Sequence, residues 1–244
     1  MAGLDRMERE TSALAGGLGE VVQLAVARVA AAACIVLSLP ILFVLALVVK
    51  LESRGPVLFR QTRVGINRRR GAGERTGSSP TGVERRKRDI GGKPFSFYKF
   101  RTMYCDARKR FPELYRYEYT DAQIESLYFK MADDPRLTPV GRWLRSSTLD
   151  ELPNFINVVK GDMSWVGPRP EIPEMVQYYR GSQRVKFSVK PGVTGLAQVS
   201  GRGLLSFEDT VSRDIEYVET RSLSTNLWIL LQTLKVTVLR VGAF

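Results

Sequence analysis

Asp150 and Glu151 stand side by side, a few residues after Arg142 and Arg145, in a chain of 244 residues that contains no histidine. Without imidazole, Ser-His-Asp and Cys-His catalysis, His-metal sites and imidazole proton transfer are all excluded. Proton transfer or nucleophilic attack must then come from carboxylates, Lys, Tyr, Ser or Cys. An Asp-Glu pair in a first helical turn has an ordinary explanation, since acids there complement the helix dipole and cap free N–H groups. It also has a chemical one. A helix N-terminus favours bound phosphate, and an ionised carboxylate there can attack phosphorus or hold Mg2+. That ion is usually bound by one or two carboxylates, with substrate phosphates and water completing the shell. Arg142 and Arg145 are placed either to neutralise phosphate or to sit on the surface.

Gly167-Pro168-Arg169-Pro170 is a second candidate. Proline on both sides fixes the backbone around Arg169, so its guanidinium is presented with little entropy left to lose, as bidentate phosphate recognition requires. A rigid loop whose arginine meets a structural carboxylate is the competing explanation. Lys190 to Gly203 forms a third candidate, with a type II turn expected at Pro191-Gly192. Its closely spaced Gly195, Gly201 and Gly203 let backbone N–H groups approach an anion, and Arg202 lies among them as a substrate-binding candidate. Lys99 and Arg101, on an aromatic strand, either bind phosphate or form a solvated face.

Charge is concentrated. The formal net charge is +12, and Lys50 to Arg110 holds 18 basic against 5 acidic residues, a local +13. Such a block attracts phosphates carried by nucleic acid, anionic lipid or substrate. No helix-turn-helix, zinc-finger or RNP pattern supports nucleic acid. Cys34 and Cys105 lie far apart in unlike surroundings and make neither a disulfide framework nor a thiolate metal site, which suits a reducing compartment.

The elements that must position these residues begin in a membrane. Val29 to Val49 carries no charge and is flanked by Arg28 and Lys50, long enough to span a bilayer. Ser38-Leu39-Pro40 interrupts it, because proline removes a backbone donor and Ser38 can re-satisfy a freed carbonyl. Hydropathy alone allows a straight span or a helix–break–helix that enters one leaflet and returns. In the second geometry the basic block keeps both ends in the cytoplasm. Pro56 to Gln61 reads as a strand, and Lys93 to Met103 as a second that places Phe95, Phe97, Lys99 and Arg101 on one face. Between them Arg68 to Arg88 is a polar, flexible insertion. Helices are expected through Arg108 and around Val140 to Arg145. Another opens at Ser147 with a Thr148–Glu151 capping box, a buried Leu152, Phe155, Ile156, Val159 stripe and a stop at Gly161. Leu227 to Val241 reads as a helix in the membrane interface or against the core.

In order, SLP, PVLFRQTRVG, FYKFRTM, the 38-residue block from Asp134 to Glu171 and KPGVTGLAQVSGR resemble the bacterial sugar transferase family, the monotopic phosphoglycosyl transferases. The resemblance covers roughly residues 20 to 244 and implies a mainly helical α+β fold. Its parts are a flexible N-terminus (1–19), a re-entrant hydrophobic helix (20–50) broken at Ser38 and Pro40, and a cytoplasmic catalytic domain (51–244). That domain carries a small β element, interfacial amphipathic helices and the 68–88 insertion, where many relatives have a short loop. It also implies transfer of sugar-1-phosphate from a UDP-sugar to polyprenyl phosphate with release of UMP, and a need for Mg2+. In that reaction Asp150 is nucleophile and metal ligand, Glu151 the second carboxylate, and Arg145 and Arg169 match the family arginines. The implied setting is the cytoplasmic face of the inner membrane, against anionic lipid; nucleic acid is not a partner, and a homodimer is allowed. Having no N-terminal multi-span region, the chain resembles the compact form of the family.

Overall fold

The computed structural model describes residues 2–67, 91–128, 131, 133–201 and 203–238, with side chains from residue 22 onward. The 68–88 insertion and Arg202 lie outside the described residues. Eight α-helices are present among them: α1 (Ala2–Glu52), α2 (Ala107–Arg110), α3 (Asp121–Glu125), α4 (Pro139–Ser147), α5 (Phe155–Lys160), α6 (Leu196–Gly201), α7 (Phe207–Thr220) and α8 (Leu223–Val238). Strands β1 (Leu58–Val64) and β2 (Pro94–Phe100) pair antiparallel; β3 (Ser164–Val166) and β4 (Gly192–Thr194) pair parallel.

Helix α1 takes in the residues expected to form the N-terminus, and its segment Val22–Glu52 is long and apolar enough to cross a membrane. The helical assignment continues through Ser38 and Pro40, so the expected break does not divide it into two helices. The Ser38 hydroxyl donates to the Cys34 carbonyl (2.7 Å) and lies 3.1 Å from that of Ile35. Pro40 frees the carbonyl four residues before it, that of Val36, so Ser38 does not re-satisfy that group. Its back-bonding is instead of the kind that bends helices.

Both ends of the apolar stretch touch the rest of the chain. Near its start, the Trp165 indole N–H donates to the Ala27 carbonyl (2.8 Å), and Ala31 packs with Phe95, Phe97, Val158 and Met163. Near its end, Leu45 and Val49 pack with Phe100 and Leu144, and Glu52 Oε1 accepts the Val140 backbone N–H (2.6 Å). Between these contacts Val36, Leu37, Leu39, Ile41, Phe43 and Leu47 are exposed. Helix α8 buries Ile229 and exposes Leu223, Leu227, Leu231, Leu234 and Val238, a stripe at the helical repeat.

β1 pairs with β2 in a register that sets Phe59 opposite Lys99, Gln61 opposite Phe97 and Arg63 opposite Phe95. Side-chain alternation therefore puts Lys99, Phe97 and Phe95 on the face that also carries Arg63. Arg101 lies beyond the strand. Asn157 of α5 locks the helix to this hairpin: its Nδ2 donates to the Ser96 carbonyl (2.7 Å) and its Oδ1 accepts the Tyr98 N–H (3.2 Å). A second core, of Val64, Ile172, Val176, Tyr179, Phe187, Phe207 and Val211, joins α7 to the irregular 172–188 segment.

Candidate active site

The site is built at the end of α4. Thr138 Oγ1 caps this helix by accepting the Gly141 N–H (2.9 Å), and Pro139 follows as its first residue. Gly141 is required there, because a Cβ would stand 2.0 Å from the Thr102 carbonyl oxygen. The helix stops at Thr148, the one non-glycine with positive φ (58°) among the described residues. For a β-branched residue this left-handed turn is strained.

The expected α-helix with a Thr148–Glu151 capping box does not form. The Thr148 hydroxyl bonds the Ser147 carbonyl (2.6 Å), and Leu149–Asn154 is a 3-10 helix before α5 begins. Pro153 explains this, since it has no N–H to return to the Leu149 carbonyl. The buried positions shift with the tighter turn, to Asp150, Pro153, Asn154, Asn157 and Val158, while Val159 is exposed. α5 does end at Gly161, with φ 81°.

That turn buries Asp150, which is 5% exposed. Burial, and then the neighbouring Glu151 charge, push its carboxyl up to about 6, with Lys99, Arg145 and Arg169 opposing. Burial thus outweighs any helix-dipole effect that would hold an acid at a helix start in or below the ordinary carboxylate range. Lys99 is pulled down to about 8, by burial first and then by Arg145, against the attraction of Asp150. Its ammonium lies over the Phe59 ring at 5.4 Å. Burial also lowers Arg145, which Asp150 and Asp134 counter. Arg145 Nε donates to Thr102 Oγ1 (3.2 Å), and its Nη1 is 3.7 Å from Asp134. Asp134 in turn accepts from Arg136 at 2.8 Å through both carboxylate oxygens. Arg169 Nη2 meets Glu151 Oε1 at 3.0 Å, and that carboxylate holds the guanidinium above its ordinary range.

Asp150, Glu151, Lys99, Arg145 and Arg169 therefore share one charged cluster. Arg101 does not join it. Its guanidinium is buried and donates to the carbonyls of Val49 (2.9 Å), Ser53 (2.6 Å) and Arg54 (2.8 Å), closing the C-terminal end of α1. Arg142 forms an exposed ion pair with Asp133 (3.2 Å). Two glycines of the third candidate have a packing role. A Cβ on Gly195 would stand 2.2 Å from the Gly167 carbonyl oxygen, and one on Gly201 would strike Leu205, so both serve close packing. Gly192 begins β4 with its N–H on the Pro168 carbonyl (3.0 Å) and has no positive φ, so the type II turn is absent.

Arg63 was not among the sequence candidates and belongs to this cluster. Burial lowers it to about 10, with Glu171 raising it and Arg169 lowering it. Alternation in β1 carries the signal, but only with the strand run to Val64 and its register known.

Among the described residues no group of three or more Asp, Glu, Cys or His is gathered to cage a metal. Adjacent Asp150 and Glu151, beside cations suited to phosphate, do match the donor set of Mg2+, one or two carboxylates completed by substrate oxygens.

The family described as bacterial sugar transferase matches residues 18–71 and 75–240. The chain is 38% identical over 190 residues to the galactosyl transferase CpsE of Streptococcus agalactiae (78% of this chain, 36% of that protein). It is 41% identical over 171 residues to the UDP-galactose-lipid carrier transferase of Erwinia amylovora (70% and 35%). It is 39% identical over 215 residues to the UDP-glucose:undecaprenyl-phosphate glucose-1-phosphate transferase of Caulobacter vibrioides (84% and 65%). The chain thus spans about a third of the first two relatives and just under two thirds of the third. With almost its whole length matched, and the charged cluster inside the match, the chain belongs to the bacterial sugar transferase family.

Proposed function

We propose that this protein is a phosphoglycosyl transferase, moving sugar-1-phosphate from a UDP-sugar to undecaprenyl or a related polyprenyl phosphate. The products are polyprenyl-diphospho-sugar and UMP, the first membrane step in assembling an exopolysaccharide, O-antigen or glycoprotein glycan. The observation that carries this reading is the buried Asp150 carboxylate among the charges of Lys99, Arg145 and Arg169. A carboxylate removed from water is a stronger nucleophile, and cations fixed beside it suit a diphosphate whose bridging bond is to be cut. The names of the Erwinia and Caulobacter relatives support the donor and acceptor classes.

In the first displacement an Asp150 oxygen bonds to the phosphorus that carries the sugar. The bond from that phosphorus to the bridging oxygen breaks, and UMP departs with the electron pair. In the second, a polyprenyl phosphate oxygen attacks the same phosphorus and Asp150 leaves as carboxylate. Lys99, Arg145 and Arg169 offset the charge on departing UMP and then meet the acceptor phosphate. Glu151 holds Arg169 in place. Asp150, with Glu151 beside it, would hold Mg2+, which when bound supplies further neutralisation at the phosphates.

The reaction runs at the cytoplasmic face of the inner membrane, on an anchor that enters one leaflet and returns. Ala27 and Glu52 support this, because both ends bind the same catalytic domain. Along a straight helix they are about 38 Å apart, so crossing a hydrocarbon core of about 30 Å would separate those contacts. The exposed stripes of α1 and α8 supply the apolar contact, and the basic block at 50–110 meets anionic lipid and substrate.

UMP release from a panel of UDP-sugars, with polyprenyl phosphate and Mg2+, tests the reading. Asp150→Asn abolishes release, and donor alone leaves a sugar-phosphate adduct on the wild type. Release that survives Asp150→Asn overturns the reaction as written. Release that needs Asp150 but leaves no adduct points to direct transfer in a ternary complex.

A further inference from the structure

Arg63 and its neighbour Val64 hold the segment that follows Arg169. Arg63 Nη1 donates to the Pro170 carbonyl (3.0 Å), and the Val64 N–H donates to the Glu171 carbonyl (2.8 Å) as an isolated bridge. The guanidinium is itself fixed, with Nη2 on Gln61 Oε1 (2.8 Å) and Cζ over the Phe97 ring, 5.4 Å from its centroid. Its Nε is buried without a hydrogen-bond partner. On the far side of the segment, Glu171 Oε2 accepts from Tyr179 Oη (2.8 Å), which accepts from Lys186 Nζ (2.8 Å), and Lys186 pairs with Asp214 (3.0 Å).

Pro168 and Pro170 fix their own φ and hold Arg169 extended. The orientation of the Pro170 peptide is the freedom that remains, and Arg63 removes it. An arginine next to Arg169 is an electrostatically poor way to make one loop hydrogen bond, because like charges repel. The nearby Glu171 and Glu151 carboxylates offset that repulsion.

We infer that Arg63 is a positioning residue that clamps the Pro-framed loop and so keeps Arg169 directed at Glu151 and the substrate phosphate. Only the activity arm of its test rests on the proposed transfer. Arg63→Gln lowers kcat/KM for the UDP-sugar by about 10–100-fold, and adding it to Arg169→Gln lowers activity little further, because the two act through one group. Gln61→Leu, which removes the Nη2 partner, gives a smaller loss in the same direction and replaces Arg63→Gln should that variant not fold. Losses that multiply, or full rescue by Arg63→Lys, overturn the inference, since charge alone would then suffice. Amide hydrogen exchange decides independently of turnover. The Val64 and Ile172 amides exchange faster in Arg63→Gln and not in Arg169→Gln, with the melting midpoint unchanged; unaltered exchange also overturns it. An inactive wild type speaks against the transfer reaction, and the exchange result still stands for Arg63.

Discussion

Replacing Asp150 by Asn removes the proposed nucleophile and should make the protein more stable. The folded protein holds the Asp150 carboxyl at about 6 instead of 3.8, chiefly through burial. A raised carboxyl means the folded state binds more protons than the unfolded chain between those values, so stability falls as pH rises through that window. Above it the full penalty applies. Two units at 1.36 kcal/mol each amount to about 3 kcal/mol at neutral pH. Asn is close in shape to the protonated side chain and carries no charge to desolvate. Thermal unfolding of both proteins in detergent with chelator, from pH 4 to pH 8, gives the measurement. Near pH 4 the midpoints coincide. By pH 7.5 the Asn variant unfolds higher by roughly 6–12 °C, taking 2–4 °C per kcal/mol for a chain of this size. An Asn variant that melts at or below wild type at pH 7.5 would falsify the premise, because Lys99 and Arg145 would then already compensate the buried charge.

The same two groups shape the rate. With Asp150 at about 6 needed as carboxylate and Lys99 at about 8 needed as ammonium, kcat/KM for the donor rises through pH 6 and falls above pH 8. Lys99→Gln loses the alkaline limb and moves the acid limb upward, since the Lys99 charge opposes the rise at Asp150; an unchanged acid limb contradicts that coupling. Arg101→Met leaves the Val49, Ser53 and Arg54 carbonyls short of their donor and lowers stability by about 2–4 kcal/mol. The donor KM of the folded fraction stays at the wild-type value, whereas a phosphate-binding role for Arg101 would raise it. Thr148→Asn relieves the left-handed strain and raises stability by about 1 kcal/mol; a lower melting midpoint shows that the turn is not strained.

What could be read from the sequence divides along local and tertiary lines. Residue types mark Asp150, Glu151, Arg145, Arg169 and Lys99 singly as phosphate candidates, each with a structural alternative, and only the family resemblance joins the dyad to Arg145 and Arg169. Arg101 misled for a physical reason. Alternation along FYKFRTM places it with Lys99, yet the strand ends at Phe100, and the carbonyls that claim Arg101 come from about 50 residues earlier. Arg63 escaped because its place opposite Phe95 follows from the pairing of the two strands, which no local pattern shows. The Thr148–Glu151 spacing reads as a capping box, whereas Pro153 denies the Leu149 carbonyl its N–H and turns the Asp150 segment into a 3-10 helix. Close packing of Gly195 on Gly167 joins segments 28 residues apart and has no local mark.

The seating of α1 changes what the anchor is. Ala31, Leu45 and Val49 are buried against Phe97, Val158, Phe100 and Leu144, so α1 and the rest of the chain share core residues. Such a helix is not a detachable module. A fragment beginning after Glu52 presents those aromatic and aliphatic faces to water and leaves the Val140 and Trp165 donors without their partners. It is expected to aggregate instead of yielding a soluble enzyme. A chimera that borrows another membrane helix must bring the matching small residue at Ala31 and the acceptor at Glu52. Helix α1 and the domain it seats in are therefore expected to change together within the family, each constraining which substitutions the other accepts.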